Sequence, residues 1–278
     1  ENPKSNTSKD EYFEMVKKAR EYIIAGDIFQ VVPSQRFFTP FKISPFKLYE
    51  SLRKINPSPY MYYLDLEDFY IVGSSPETLV KTENNKITIK PIAGTRLKQE
   101  YPNRELEKEL LSDPKERAEH LMLLDLGRND VGRVAKIGSI KVKNPFSIQE
   151  TSNLIHIVST VEGDLREDED QISSLSAGFP AGTVSGAPKI RAMEIIDELE
   201  KEKRGIYAGA VGYFSANGDM DTAIALRTAI IKDEMMYVQA GGGVVYDSNE
   251  EYEYNETVNK SQALFKAAKD AILNNLKE

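Results

Sequence analysis

Two pairs of glutamates have a spacing that suits metal binding. Glu116 and Glu119 share one helix face with His120, because positions i, i+3 and i+4 lie on the same side of a helix. Glu253 and Glu256 repeat the i, i+3 spacing near the C-terminal end. If two such helices faced each other, their carboxylates would offer a hard cation such as Mg²⁺ the oxygen ligands that it prefers. The spacing is also compatible with solvated surface glutamates, which are the commoner case.

A histidine and an arginine interrupt apolar strand patterns. His156 lies in the alternating run at 154–158, where it is a candidate general base or, alternatively, a hydrogen-bonded core histidine. Arg227 lies in the run at 223–231, where a charge needs a partner or an anionic ligand unless it reaches solvent from an edge strand. Both residues are therefore candidates for a polar site inside the fold.

Three glycine-rich segments, at 91–96, 180–189 and 240–243, could bring the backbone close to a ligand. The segment 180–189 does not match the Walker phosphate loop, because Pro188 precedes Lys189 and the glycine spacing differs. The helix that follows it could still bind an anion, such as a carboxylate, at its N-terminus. A tight turn is the alternative explanation for the three consecutive glycines at 241–243.

Composition excludes several classes of function. The 278 residues carry a formal net charge of −8 and no cysteine. The missing thiols exclude a disulfide framework, thiolate metal sites and a cysteine nucleophile within this chain. The acidic balance argues against a nucleic-acid partner, which would need a basic stripe. No apolar run approaches the roughly 20 residues that span a bilayer, so we expect no membrane segment.

Apolar periodicity predicts an α+β fold built on antiparallel sheets. Helices are predicted over residues 9–25, 45–55, 103–126 with a break at 112–114, 188–203, and from 250 onward. Strands are predicted over residues 28–38, 60–66, 69–74, 78–82, 86–91, 137–145, 151–162, 207–215, 219–227, 235–240 and 244–246. Turn sequences such as Asn84-Asn85 and Asn217-Gly218 join neighbouring strands as hairpins, which favours antiparallel pairing.

Taken together and in order, these segments resemble one family, the chorismate-utilising enzymes, and within it the anthranilate synthase component I branch. The resemblance rests on residues 26–36 (Gly-Asp-Ile-Phe-Gln-Val-Val-Pro-Ser-Gln-Arg), 74–77 (Ser-Ser-Pro-Glu), 91–96, 116–130 (ending in Leu-Gly-Arg-Asn-Asp), 156–163, 179–189, 207–213, 226–229 and 239–260. It implies an α/β/β/α fold in which two antiparallel sheets pack together with helices on the outside. It also implies a single catalytic domain over residues 1–278.

The resemblance further implies a Mg²⁺-dependent enzyme that acts on chorismate, a dicarboxylate. Glu119 and Glu256 would ligate the metal directly, with Glu116 and Glu253 as water-mediated or substrate-side companions. Because the net charge of the chain is negative, Mg²⁺ would supply the local positive charge for the ring carboxylate. The substrate-binding positions that the resemblance implies are Thr183, Tyr207, Arg227, Gly241, Gly242, Gly243 and Lys260.

Four positions resemble the catalytic residues of the family: Glu77, His156, Gln30 and Thr95. Glu77 resembles the general acid that protonates the departing C4 hydroxyl when a nucleophile adds at ring C2. His156 matches the histidine that assists removal of the C2 proton, when pyruvate leaves and the ring becomes aromatic.

Two positions distinguish the branch. Hydrolytic relatives carry a lysine base where Gln30 stands, and a glutamine cannot activate water, which favours ammonia as the nucleophile. Aminodeoxychorismate synthases often carry a lysine where Ala93 stands. The implied reaction is therefore a lyase step of tryptophan biosynthesis in the cytoplasm, from chorismate and ammonia to anthranilate and pyruvate. Glutamine would serve through a partner amidotransferase, because this chain has no cysteine nucleophile.

Members of this branch are usually longer on the N-terminal side, where part of a tryptophan feedback site lies. Pro59, Tyr60 and Met61 resemble the other part of that site. Because this sequence does not include the N-terminal part, we expect tryptophan inhibition of this chain to be weakened or lost. Two alternatives remain open: an aminodeoxychorismate synthase component I, and a catalytically silent scaffold fragment of the same family.

Overall fold

The computed structural model describes residues 2–98, 104–150 and 154–276. In chain order its elements are β1 (Lys4–Ser5), α1 (Lys9–Ile24), β2 (Gln30–Val31), β3 (Ser34–Pro40), α2 (Pro45–Ile55), β4 (Tyr60–Asp65), β5 (Tyr70–Ser75), β6 (Thr78–Glu83), β7 (Lys86–Ile89), β8 (Ile92–Leu97), α3 (Arg104–Ser112), α4 (Pro114–Gly132), β9 (Lys141–Glu150), β10 (Leu154–Asp164), α5 (Gln171–Gly178), β11 (Gly186–Ala187), α6 (Lys189–Leu199), β12 (Ala210–Phe214), β13 (Met220–Ile224), β14 (Thr228–Lys232), β15 (Met235–Gly241) and α7 (Glu250–Asn275). They group into two compact units.

Unit 1 comprises Glu1–Pro76, Val184–Gly209 and Ile224–Glu278. Its main sheet has the strand order β1-β3-β15-β14-β5-β4, and β2 pairs with β11 in a small second sheet. Helices α2 and α7 cover one apolar cluster of this unit, which includes Leu48, Val72, Met236 and Leu264. A second cluster joins α1, α6 and the segment after β15 through side chains such as Tyr12, Ile195 and Val244.

Unit 2 comprises Glu77–Thr183 and Ala210–Ala223. Its sheet has the order β12-β13-β6-β7-β10-β8, and β9 pairs with the long strand β10. Helices α3 and α4 pack against β8 and β10, and α5 packs against β6. The buried side chains of Leu110, Ile155 and Ile157 form the apolar cluster beneath α3.

Local sequence signals explain where three of the helices begin. Ser8 and Glu11 form a capping box at the start of α1, where each side chain accepts from the backbone N–H of the other. Asp113 caps α4 by accepting from the backbone N–H groups of Lys115 and Glu116, and Pro114 occupies the first turn. The side chain of Asn249 caps α7 in the same way.

The α+β class, the five predicted helices and the hairpin turned at Asn84-Asn85 are confirmed. The predicted strand over 28–38 is wrong in one respect, because it divides into β2 and β3 around Pro33, which has no N–H for a ladder. The run at 244–246 forms only a bridge from Val244 to Val31. Helix α5 carries no strong apolar period and was not predicted. The predicted helix start at residue 103 and the predicted strand start at residue 151 lie outside the described residues. The assignment of residues 1–278 to a single catalytic domain stays a prediction.

Among the helices of the described residues, none combines the length and the apolar composition needed to cross a membrane.

Two glycines of unit 2 should respond oppositely to replacement by alanine. A Cβ on Gly163 would lie 2.7 Å from the Cβ of Ala135 and 2.8 Å from Cγ1 of Val131, so Gly163→Ala should destabilise by about 1–3 kcal/mol through overpacking. A Cβ on Gly127, inside α4, would make only ordinary contacts from 3.6 Å, so Gly127→Ala should stabilise by about 0.5–1 kcal/mol. Urea unfolding of both variants beside wild type measures the two signs; a shared sign would contradict the packing described here.

Candidate active site

Two carboxylates of unit 1 converge on one glycine. Glu253 and Glu256 lie in the first turns of α7, and a Cβ on Gly242 would be 3.0 Å from Oε2 of Glu253 and 3.1 Å from Oε2 of Glu256. The missing side chain of Gly242 therefore lets both carboxylates approach the backbone after β15. Ser248 fixes the other oxygen of Glu253, because its Oγ donates to Oε1 at 2.8 Å.

The pair holds more negative charge than its surroundings offset. Burial raises the pKa of Glu253 to about 7, and the neighbouring Glu256 adds to this rise while the Ser248 hydrogen bond opposes it. Lys260 is 3.2 Å from Glu256, but its Nζ also donates to the carbonyl oxygen of Gly241 at 2.9 Å. Two adjacent carboxylates with an all-oxygen donor set fit a hard divalent cation.

Tyr207 lies against the same glycine segment. A Cβ on Gly241 would be 2.8 Å from the Tyr207 hydroxyl oxygen, so only a glycine admits the phenol there. Burial raises the pKa of Tyr207 to about 12, although the positive charge of Arg204 works in the opposite direction. The hydroxyl is therefore protonated at neutral pH and can donate a hydrogen bond to an anion.

Gln30 is a buried amide with an unsatisfied acceptor. Its side chain is 3% exposed, and its Nε2 lies 2.7 Å from the position of a Cβ on Gly243. Within the described part of the chain, its Oε1 has no hydrogen-bond partner. A buried acceptor without a partner is uncommon, and it is suited to a ligand that donates a hydrogen bond.

Arg227 occupies a bend between β13 and β14. Its φ of 46° lies in the left-handed region, which a residue with a Cβ rarely adopts. The backbone N–H of Ser74 donates to the carbonyl oxygen of Arg227 at 3.1 Å. Strand β4 lies beside β5, with Tyr60 opposite Ser75 and Met61 opposite Ser74. The predicted regulatory segment, which begins with Pro59, therefore pairs with the strand that contacts the Arg227 backbone.

In unit 2, Glu77 and Thr183 are in contact although 106 positions separate them. Thr183 Oγ1 donates to Oε1 of Glu77 at 2.9 Å. Glu77 lies in the short link between β5 and β6, and Thr183 follows the segment after α5. The hydrogen bond orients one carboxyl oxygen of Glu77, so the structure brings together a predicted acid and a predicted substrate-binding residue.

His156 lies on β10 and is half-buried. Its Nδ1 is 3.3 Å from the carbonyl oxygen of Gly94, which can only accept a hydrogen bond. This contact favours the tautomer with hydrogen on Nδ1, which leaves Nε2 as the basic nitrogen of the neutral ring. The backbone of His156 is paired with Thr95 on β8, whose side chain lies outside the described part of the chain.

The first glutamate pair is placed differently from the second. Glu116 forms an ion pair with Arg96 at 2.7 Å, and its Oε2 lies 3.0 Å from the position of a Cβ on Gly94. Glu119 lies one turn further along α4 and is half-buried. His120 is fully buried and turns to β10 instead, where its Nε2 is 2.6 Å from Ser159 Oγ. Burial, with the charge of Arg117, lowers the pKa of His120 to about 4, so it stays neutral.

Across residues 2–98, 104–150 and 154–276, no group of three or more His, Cys, Asp or Glu side chains is arranged to hold a metal ion. Each unit, taken by itself, carries one glutamate pair, on α4 in unit 2 and on α7 in unit 1.

Arg204 is a supporting residue that was not predicted from the sequence. Its guanidinium donates to both carboxylate oxygens of Glu200 and to the carbonyl oxygens of Val184 and Val32, and it lies 5.3 Å from the ring centroid of Tyr207. Glu200 in turn accepts from the backbone N–H and the hydroxyl of Ser34. The i, i+4 spacing of Glu200 and Arg204 was visible in the sequence, but it is also typical of exposed helical pairs.

Comparison with known proteins identifies the family. Residues 1–266 match the family described as chorismate binding enzyme. The chain is 61% identical over 270 residues to anthranilate synthase component 1 of Cereibacter sphaeroides, a match that covers 96% of this chain and 54% of the relative. It is 58% identical over 268 residues to the protein of the same name from Aquifex aeolicus, again covering 96% and 54%.

A solved structure supports the same relationship and confirms the predicted fold class. The crystal structure of anthranilate synthase component I from Streptococcus pneumoniae aligns with a TM-score of 0.89 at 48% identity, covering 95% of this chain and 59% of that one. The chain thus spans about half the length of the curated relatives that it matches. By sequence and by fold, this chain belongs to the family of chorismate binding enzymes.

Proposed function

We propose that this chain is the catalytic part of an anthranilate synthase, which converts chorismate and ammonia to anthranilate, pyruvate and water with Mg²⁺ as cofactor. The observation that carries the proposal is the convergence of Glu253 and Glu256 on Gly242, beside Tyr207, in a chain of the chorismate binding family. The name of the relatives, anthranilate synthase component 1, supports the choice of product.

The glutamates would hold the magnesium ion. Glu256 is partly exposed and suits a direct ligand, whereas Glu253 is buried and tied to Ser248, which suits a companion position. On α4, Glu116 is ion-paired with Arg96 and would be the companion, and Glu119 would be the direct ligand, as the family resemblance implies. When bound, the metal would supply positive charge for the substrate's ring carboxylate and Lewis acidity.

Arg227 and Tyr207 would bind the enolpyruvyl carboxylate. The guanidinium of Arg227 supplies a fixed positive charge, and the protonated phenol of Tyr207 supplies a hydrogen bond. The glycine segment contributes shape more than donors, because the backbone N–H of Gly242 already donates to the carbonyl oxygen of Pro33 at 3.2 Å. Lys260 keeps that segment in place through its bond to the Gly241 carbonyl.

Glu77 and His156 would move the protons. Ammonia adds at ring C2, and the C4 hydroxyl leaves as water after protonation by Glu77, whose carboxyl is oriented by Thr183. His156 then accepts the C2 proton at Nε2, while Gly94 holds the other ring nitrogen. The bond from the ring to the enolpyruvyl oxygen breaks, the side chain leaves as pyruvate after gaining a proton, and the ring becomes aromatic.

The nucleophile would be ammonia because Gln30 offers an acceptor but no base. Its Oε1, which has no hydrogen-bond partner among the residues that the structure describes, can accept a hydrogen bond from ammonia, whereas it cannot deprotonate water. Glutamine would enter through a separate amidotransferase, since this chain has no cysteine. An aminodeoxychorismate synthase and a silent scaffold are the competing assignments.

Product analysis separates the three assignments. We expect the protein to form anthranilate and pyruvate from chorismate, ammonium and Mg²⁺ at mildly alkaline pH, identified by fluorescence and mass. A product that retains the enolpyruvyl group would indicate aminodeoxychorismate synthase, and binding without turnover would indicate a scaffold.

Glu256→Gln should remove the charge of a metal ligand and lower the affinity for Mg²⁺. The Mg²⁺ concentration needed for half-maximal activity should rise at least as much as the roughly 10- to 100-fold that loss of an outer-shell partner costs. Glu251→Gln, on the same helix but exposed and paired with Lys9, is the matched control.

The stability of the metal-free protein should report the charge on Glu253. Its pKa is raised from 4.5 to about 7, which means that the folded protein favours the protonated carboxyl. The stability that protonated Glu253 contributes is therefore fully present below about pH 4.5 and is lost as the pH rises through about 7. Glu253→Gln keeps the acceptor for Ser248 and removes the charge. At about pH 8 the variant should therefore be more stable than wild type by on the order of 1–3 kcal/mol, and the gap should shrink towards pH 5.

Calorimetry in chelator measures this difference, and Mg²⁺ should raise the Tm of wild type more than that of the variant. Glu251→Gln, which removes an exposed charge, should show neither effect. A Tm difference that does not change with pH would contradict the assignment of a strained carboxylate pair.

Gln30→Leu should raise the KM for ammonium roughly tenfold, the effect expected for one lost hydrogen bond, and should leave the KM for chorismate nearly unchanged. The control is Gln35→Leu, because Gln35 is equally buried but its amide is bonded to Ser5 and Thr257. That control should lose stability without a selective effect on ammonium. Equal ammonium KM values for Gln30→Leu and wild type would remove Gln30 from the nucleophile site.

A further inference from the structure

A tyrosine reaches across one strand of unit 1 to a threonine. Tyr62 on β4 pairs with Gly73 on β5, and Gly73 pairs with Thr228 on β14, so the three residues form one row across the sheet. A Cβ on Gly73 would lie 2.2 Å from ring atoms of Tyr62. The phenol therefore occupies the space that a side chain at Gly73 would fill, and its hydroxyl lies 2.6 Å from Thr228 Oγ1.

The direction of these hydrogen bonds can be assigned. Thr228 Oγ1 donates its single proton to the carbonyl oxygen of Leu226 at 2.8 Å. The Tyr62 hydroxyl must then be the donor to Thr228, because the threonine proton is already used. Burial raises the pKa of Tyr62 to about 12, so this donor proton is retained at physiological pH.

The chain of hydroxyls ends at the bend that holds Arg227. Leu226 precedes Arg227, whose φ of 46° is a strained conformation that its surroundings must maintain. The carbonyl of Leu226 is fixed by Thr228, and the carbonyl of Arg227 is fixed by the backbone N–H of Ser74. Ser74 Oγ in turn donates to the carbonyl oxygen of Asn56 at 2.6 Å. The bend is therefore held from both sides by residues of β5 and β14.

We propose that Tyr62 and Thr228 are positioning residues that set the backbone of Arg227 and, through it, the affinity for the substrate carboxylate. The inference rests on the proposed function, in which Arg227 binds the enolpyruvyl carboxylate. Both hydroxyls are engaged with protein atoms, that of Tyr62 with Thr228 and that of Thr228 with the carbonyl oxygen of Leu226. Their contribution is to keep the guanidinium in its binding orientation before the substrate arrives, which lowers the cost of ordering it on binding.

Substitutions that remove one oxygen atom test the proposal. Tyr62→Phe keeps the ring over Gly73 and loses the donor, and Thr228→Val keeps the shape and loses the bond to Leu226. Each should raise the KM and the calorimetric Kd for chorismate roughly 3- to 10-fold, as expected for one hydrogen bond, with kcat within about twofold. Thr228→Ser should restore wild-type affinity. Tyr63→Phe, the neighbour on β4 that packs against Phe46 and Tyr70, should change nothing.

A double-mutant cycle with Arg227→Lys distinguishes positioning from general stabilisation. If Tyr62 acts through Arg227, Tyr62→Phe should have little further effect on the Kd for chorismate in the Arg227→Lys background. Additive losses, or a fall in Tm with an unchanged Kd, would overturn the proposal. Calorimetric binding needs no turnover, so these results stand even if the wild-type protein forms no anthranilate, which would overturn only the proposed reaction.

Discussion

Two like charges held in a small space are the constraint on which the site of unit 1 depends. Glu253 is buried beside Glu256 and, among the described residues, accepts one hydroxyl hydrogen bond, from Ser248, so the pair costs free energy until a cation or a proton relieves it. The absence of a side chain at Gly242 is what lets the carboxylates meet. The three consecutive glycines are therefore explained by steric demands from both sides, since Gly241 admits Tyr207 and Gly243 admits Gln30.

A costly pair of this kind needs a rigid frame, which a buried ion pair supplies. Glu200 and Arg204 are largely removed from solvent, and their hydrogen bonds tie Val32, Ser34 and Val184 together below Tyr207. A buried ion pair is weak evidence for stability, because desolvation offsets much of its attraction. Its value here is geometric, because it joins the chain segments of Val32, Ser34 and Val184 beside Tyr207, whose hydroxyl lies against the glycine segment.

The sequence predicted the elements that carry strong local signals and missed those that depend on distant partners. The capping box of α1, the break before Pro114 and the Asn84-Asn85 turn are encoded within a few residues, and the structure has them all. The division of the strand into β2 and β3 at Pro33 was not predicted, and α5 was not predicted because its apolar pattern is weak. The glutamate spacings pointed to two pairs, but the burial of Glu253 and the ion pair of Glu116 depend on residues far along the chain. The row Tyr62–Gly73–Thr228 could not be found without strand register.

The pairing of the local cations bears on how a dianionic substrate could bind a chain with a net charge of −8. Within the described residues, Arg204 is neutralised by Glu200, Lys260 by Glu256, and Arg96 by Glu116 and Asp113. These cations hold the protein together and have little charge left for a ligand. In the proposed reaction Arg227 attracts the enolpyruvyl carboxylate, so attraction for the ring carboxylate has to come from the metal. Mg²⁺ would then be required for substrate affinity as well as for turnover, since without it Glu253 and Glu256 would repel the substrate.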